Sequence, residues 1–221
     1  MAPLLLDGGT GHLLKAQGVE RLVPGLQYDQ LFLAGALAND LAPEAVLGVH
    51  RAYIAAGADV ITVNNFACTD WSLGRIGKQD LQEELVQAAA RLARTAANEA
   101  GSGPSGRRVL VAGSLPPLRE SYQASGLAAF EEMQPEYNLL AGLLKPHVDL
   151  LLCETLATVT EGRAAGTAAA VSGLPWWCSW TVADDDRAVL RSGEALQDAV
   201  AAVADLPGLE AVLVNCCSPQ A

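Results

Sequence analysis

The chain has 221 residues, 51% of them hydrophobic, and a formal net charge of −11. Such length and apolar content suit one large α/β domain or two small ones and exclude a disordered chain. The acidic balance argues against nucleic acid as the main partner and against docking on an anionic membrane, and no apolar run approaches the roughly 20 residues that span a bilayer.

In chain order, Met1–Asp7 reads Met-Ala-Pro-Leu-Leu-Leu-Asp. It lacks a basic stretch and soon reaches an acid, so it does not read as a signal peptide. Leu4–Leu6 is a short apolar strand that stops at Asp7-Gly8-Gly9-Thr10-Gly11. The glycines allow close backbone approach to a ligand, or simply a tight turn. Pro43–Gly57 is predicted as a helix, with Pro43 in its first turn, Val46, Val49 and Tyr53 on one face, and Gly57 as its stop. The β-branched run Ala58–Val63 is predicted as a strand that delivers Asn64, Asn65 and Phe66 to its end. Leu81, Leu85, Ala88, Leu92 and Ala96 mark a long helix, followed by a polar surface loop over Gly101–Arg108.

Val109–Ala112 is a third strand, ending at Gly113-Ser114. Pro135–Leu144 reads as a helix with Leu139, Leu140, Leu143 and Leu144 inward. Leu150–Cys153 is a fourth strand, ending at Glu154 and Thr155, and Thr158 with Glu161 has capping-box spacing for an Ala-rich helix. Trp176–Val182 is a fifth strand. Asp184-Asp185-Asp186 reads as a solvated loop, and Ser192 as the cap of a helix carrying Leu196, Val200 and Val203. Ala211–Val214 is a strand without alternation, as expected when both faces are covered, and it delivers Asn215, Cys216 and Cys217. Two adjacent thiols at a strand end are candidate metal ligands or nucleophiles, although cysteine is also a common buried small hydrophobe. The five cysteines are an odd count, and four follow or interrupt apolar runs, which points to reduced thiols and a cytoplasmic location.

These are six strand–helix steps in strict alternation, the pattern of parallel strands joined by crossovers. A doubly wound sheet or a (β/α)8 barrel satisfies it. Polar residues follow every strand: Asp7, Asn64, Ser114, Glu154, Thr181 and Asn215. A ligand touching all six needs them in a ring, which favours the barrel.

Five of these strand-end stretches carry a family resemblance. They are Asp7–Gly11, Ala56–Phe66, Ala112–Pro117, Asp149–Thr155 and Val214–Cys216. Together, in this order, they resemble the homocysteine S-methyltransferase family, with its betaine- and S-methylmethionine-dependent enzymes. The resemblance implies a TIM-type (β/α)8 barrel of which about six of eight units are present, as a single homocysteine-binding domain over residues 1–221 that ends before the family's late Gly-Gly-Cys-Cys pair.

It also implies one Zn2+ held by cysteines, here Cys216 with Cys217, and methyl transfer from a sulfonium or ammonium donor (S-methylmethionine, S-adenosylmethionine or betaine) to homocysteine, giving methionine. By the same resemblance Cys216 is the catalytic ligand and Asp7 and Glu154 hold the substrate's ammonium group. Gly8, Thr62, Asn64 and Ser114 are expected in the pocket wall, with Asn215 orienting the Cys216 loop. Cys68, Cys153, Cys178 and the histidines His12, His50 and His147 are expected to be structural. A zinc site wants three protein ligands plus substrate, so the alternative is a truncated, non-catalytic or metal-free family member that acts only as a binding protein or needs a completing chain. A lyase using Glu154 as base is weaker, since no lysine emerges at a strand end for Schiff-base chemistry. The partners expected are homocysteine and a small methyl donor, and an oligomer is compatible with the sequence.

Overall fold

The computed structural model describes residues 3–22, 26–27, 30–103, 107–185 and 187–218. Asp186 of the triple-aspartate stretch and residues 104–106 of the predicted loop lie outside them. The described chain forms two compact units: residues 1–113 with 146–149, and residues 114–145 with 150–221.

In the first unit α1 (Thr10–Ala16), α2 (Leu33–Leu41), α3 (Pro43–Ala56), α4 (Asp70–Gly74) and α5 (Gln82–Ser102) accompany the parallel strands β1 (Val60–Thr62) and β2 (Leu110–Leu115). The chain of β2 passes to the second unit at Ser114. Helix α3 begins and ends as the sequence requires: Pro43 stands in its first turn, where its missing N–H costs nothing, and Gly57 closes it at φ 111°. That left-handed conformation is open to glycine without a Cβ penalty. Val46 and Val49 are fully buried against Leu14, Ala34 and Ala38, each such side chain contributing about 1.5–3 kcal/mol.

Leu4–Leu6 does not form the expected strand. Only Leu6 pairs, in parallel, with Val60, because the Asp59 carboxylate takes the N–H of Leu5 at 2.9 Å in place of a ladder carbonyl. Leu4 and Leu5 are exposed. The six expected strands are therefore five among the described residues, plus this bridge.

The second unit holds α6 (Phe130–Leu144), β3 (Leu150–Leu156), α7 (Val159–Ser172), β4 (Trp176–Trp180), α8 (Leu196–Val203) and β5 (Leu209–Val214). Strand β4 pairs in parallel with both β3 and β5. The Thr158–Glu161 capping box forms, each side chain meeting the other residue's backbone N–H. Two helix starts differ from expectation. Helix α6 begins at Phe130, with Pro135 inside it, because the Glu132 carboxylate accepts the Ala129 N–H and fixes an earlier first turn. Ser192 does not cap α8, whose first residue is Leu196. Its hydroxyl instead donates to Glu194 at 2.6 Å.

Strand β4 shows no alternation because every residue from Trp176 to Trp180 is buried. The tryptophans fit because α7 carries glycines where they lie: a Cβ on Gly162 would stand 2.7 Å from Trp180 Nε1, and one on Gly166 2.9 Å from Trp176 Cη2. Strand β5 departs from the doubly covered strand expected of its apolar run. It alternates, with Val212 and Val214 exposed. Val212 and Val214 take outward positions while Leu209, Ala211 and Leu213 take the inward ones, and hydropathy alone does not separate the two.

Candidate functional site

In the first unit Asp7 follows the Leu6 bridge and meets the end of β1. Its carboxylate accepts the Thr62 N–H at 2.7 Å and the Thr62 hydroxyl at 2.9 Å. Burial is the largest influence on its acidity and outweighs these two bonds, lifting the pKa from the ordinary 3.8 to about 6. Gly8 lies against Tyr53: a Cβ there would be 3.0 Å from the phenol oxygen. The Tyr53 hydroxyl is made less acidic by burial and then by the Asp7 charge. Asp7, Gly8 and Thr62 are thus brought together. Asn64 has a different engagement. Its amide donates to Gly35 O at 2.8 Å and to Asn39 Oδ1 at 2.9 Å, while Asn39 donates back to the Asn64 carbonyl at 2.9 Å. This exchange ties α2 to the end of β1.

In the second unit Ser114, Glu154, Asn215 and Cys216 all stand at or just beyond strand ends. The Ser114 hydroxyl donates to Glu154 Oε1 at 2.5 Å. Asn215 is the hub of the neighbouring group. Its Oδ1 accepts the Thr155 N–H at 3.0 Å and the Ser179 hydroxyl at 2.9 Å, and its Nδ2 donates to Thr155 Oγ1 at 2.9 Å and Cys216 Sγ at 3.6 Å. The Thr155 hydroxyl in turn donates to Cys216 Sγ at 3.6 Å. Tyr122 reaches the same sulfur through its phenol, and burial together with that contact pushes its pKa up to about 12, against the opposing pull of Arg191.

The backbone at this place is unusual. Among the described residues three non-glycines have positive φ: Tyr122 (68°), Thr155 (60°) and Cys216 (55°). All three meet at the Cys216 thiol. For a β-branched residue such as Thr155 this conformation is a genuine outlier, and strained residues gather at functional sites because only a surrounding that over-determines them keeps them there. Arg191 completes the group: its guanidinium bonds Thr181 Oγ1, Asp184 Oδ2 and the Cys216 carbonyl, and lies over the Tyr122 ring.

The sequence did not single out Tyr122 or Arg191, which sit in stretches with no periodic signal. Asp184 is exposed in a loop, as expected, and is in addition paired with Arg191 and with the Ser218 N–H. Thr155 and Thr181 had a usable signal, the polar residue that follows each strand.

Cys216 is exposed and Cys217 half-buried. Among the described residues no group of three His, Cys, Asp or Glu side chains is placed to hold a metal ion. Two thiols fall one short of the three protein ligands that a catalytic zinc takes, so the described residues do not fit a complete zinc site. Cys68, Cys153 and Cys178 are fully buried. Burial raises the Cys68 thiol to about 12 and carries Cys153 well above the ordinary thiol range, which makes both inert at neutral pH. His50 is buried with neither ring nitrogen hydrogen-bonded, and burial lowers its pKa to about 4.

Parallel strands alternating with helices, and polar side chains gathered at their ends around an exposed thiol, define an α/β enzyme of the TIM-barrel type. The comparisons narrow this class. The family model for homocysteine S-methyltransferase matches residues 4–221, and the chain belongs to that family. It is 31% identical to homocysteine S-methyltransferase of Escherichia coli K12 over 96% of this chain and 69% of the relative. The metallated form of the E. coli homocysteine methyltransferase MmuM superposes with a TM-score of 0.85 at 26% identity, covering 100% of this chain and 76% of that one. The oxidised form gives 0.79, also at 26% identity, with 96% and 73% covered. The protein is a methyltransferase of this family.

Proposed function

We propose that the protein transfers a methyl group from a sulfonium or ammonium donor to the thiol of homocysteine, giving methionine, and that the Cys216 cluster receives the homocysteine sulfur. The observation that carries this reading is the convergence of Tyr122, Thr155 and Cys216, the three strained non-glycine residues, on one exposed thiol. In the reaction the acceptor thiol gives its proton to solvent water, its sulfur attacks the donor methyl carbon in line, and the donor's S–C or N–C bond breaks with its electron pair left on the donor atom. A positively charged donor thereby leaves as a neutral product, so no acid is needed for the leaving group.

The chain's own residues orient and solvate. Glu154, held by Ser114, and Asp7, held by Thr62, are proposed as carboxylate partners for a substrate ammonium group. Asp7 is a half-buried acid whose burial costs are relieved by a bound cation. Gly8 and Asn64 are proposed as wall of the binding site, and Asn215 as the residue that aims Cys216. The metallated form of the E. coli relative supports a metal, with zinc the proposed ion and Cys216 and Cys217 the thiols this chain offers it. With only those two among the described residues, no step here is routed through the metal. One homocysteine-binding domain in the cytoplasm is proposed. No helix among the described residues is long and apolar enough to cross a membrane.

The test is transfer of a labelled methyl group from S-methylmethionine to homocysteine, with cysteine as the control acceptor. Homocysteine-dependent label in methionine supports the proposal. Homocysteine binding by calorimetry without transfer from any of the three donors favours the second reading, a binding protein.

A further inference from the structure

We infer that Arg191, anchored by Asp184, is a positioning residue that fixes the aim of the Cys216 thiol. The inference rests on the proposal that Cys216 handles the substrate sulfur. The geometry is a clamp on both ends of a three-residue stretch. At one end the Cys216 carbonyl accepts from the Thr181 hydroxyl at 3.1 Å and from Arg191 Nη2 at 3.3 Å. At the other end the Ser218 N–H donates to Asp184 Oδ1 at 2.6 Å. Arg191 joins the ends, its Nη2 bonding Asp184 Oδ2 at 2.9 Å and its Nε bonding Thr181 Oγ1 at 3.0 Å.

A left-handed cysteine is not self-supporting. Cys216 stands at φ 55°, a conformation that persists only where neighbours impose it. Beside the Asn215 and Thr155 contacts at Sγ, the clamp supplies the backbone contacts that can impose it, since it holds the carbonyl of Cys216 and the amide two residues on. The same guanidinium lies 5.4 Å from the centre of the Tyr122 ring, so the phenol that touches Cys216 Sγ is steadied by the residue that holds the Cys216 backbone. One planar fork meets three acceptors and a ring face at once, a combination that a lysine ammonium does not reproduce.

Arg191 is half-buried and Asp184 exposed, with side-chain exposures of 24% and 47%. Such a pair contributes little to global stability. The role is therefore visible in local order rather than in the melting temperature.

The experiment compares the full 221-residue chain with Arg191→Ala, Arg191→Lys and Asp184→Asn. Amide hydrogen exchange at Ser218 and the alkylation rate of Cys216 with iodoacetamide, both followed by mass spectrometry, are read beside the kinetics of methyl transfer. Arg191→Ala is expected to raise Ser218 exchange about tenfold or more, to change Cys216 alkylation about fivefold or more, and to lower kcat more than it raises the KM for homocysteine, with the melting temperature within about 3 °C of wild type. Arg191→Lys is expected to recover less than half of each effect, and Asp184→Asn, which keeps an oxygen acceptor for the Ser218 N–H but turns an amide donor towards Arg191, to raise Ser218 exchange by less than Arg191→Ala does. Wild-type exchange and alkylation in Arg191→Ala, or full rescue by Arg191→Lys, overturns the inference. Because exchange and alkylation need no turnover, they judge the clamp even if methyl transfer to homocysteine fails and takes the functional proposal with it.

Discussion

Replacing Asp7 by asparagine separates what this carboxylate costs the fold from what it does for a ligand. Its pKa lies near 6 instead of the ordinary 3.8, with burial the largest cause. The gap corresponds to about 3 kcal/mol at 1.36 kcal/mol per pH unit, as an upper figure. The sign follows from proton linkage. Below pH 3.8 the carboxyl is neutral in folded and unfolded chains and costs nothing. Between 3.8 and about 6 the folded chain holds a proton that the unfolded chain has released, so stability falls as pH rises. Above 6 the full penalty stands. Asparagine keeps one acceptor for the Thr62 N–H, and its amide can donate to the Thr62 hydroxyl, so the local bonds of Asp7 are largely conserved.

Asp7→Asn is therefore expected to be more stable than wild type by about 1–3 kcal/mol at pH 7.5, with the difference shrinking towards zero at pH 4. Homocysteine binding should be weakened at least tenfold, through loss of a charged hydrogen-bond partner for the ammonium group. The assay is urea unfolding of both proteins at half-unit pH steps, with calorimetric titration of homocysteine at pH 7.5. An Asn-Gly sequence deamidates, so fresh protein checked by intact mass is used. A difference in stability that is flat with pH, or a variant less stable than wild type at pH 7.5, refutes the linkage. Unchanged homocysteine affinity refutes the role in binding.

Three further substitutions test other parts of the structure. Asn215→Ala strands the buried Thr155 N–H and Ser179 hydroxyl and should cost about 3 kcal/mol in urea unfolding, at about 1–3 kcal/mol for each buried polar group left without its partner. Gly162→Ala places a methyl 2.7 Å from Trp180 Nε1, and overpacking of about 1–3 kcal/mol should exceed the gain of about 1 kcal/mol in helix propensity. Net destabilisation with a changed Trp fluorescence spectrum is the expected result. His50→Leu removes a buried imidazole that lacks hydrogen bonds. Its folded pKa of about 4 lies below the ordinary 6.5, so wild type loses stability as pH falls from 6.5 to 4. The variant should gain about 1 kcal/mol at pH 7 and more at pH 5 in the same assay.

The helix and strand positions were legible wherever local chemistry decided them. Pro43 and Gly57 bound α3, Thr158 and Glu161 start α7, and the β-branched run before Asn64 is β1. Positions failed where a side-chain bond overrode the pattern: at long range Asp59 replaces a ladder carbonyl at Leu5, and locally Glu132 moves the start of α6 and Ser192 turns to Glu194. Within the candidate site, strand-end polarity pointed to Asp7, Ser114, Glu154 and Asn215. Tyr122 and Arg191 were invisible because loops bring them to Cys216, and no periodicity records a loop's path. The exposed alternation of β5 was hidden for another reason, since valine stands at its outward positions too.

Replacing each cysteine singly by serine and measuring methyl transfer to homocysteine tests the central claim most directly. Cys216→Ser is expected to reduce transfer about a hundredfold or more, a loss of about 2.7 kcal/mol in transition-state stabilisation. Cys178→Ser, buried away from solvent, should keep most of the activity that its folded fraction allows. Full homocysteine-dependent transfer in Cys216→Ser would contradict the assignment of the substrate sulfur to this thiol.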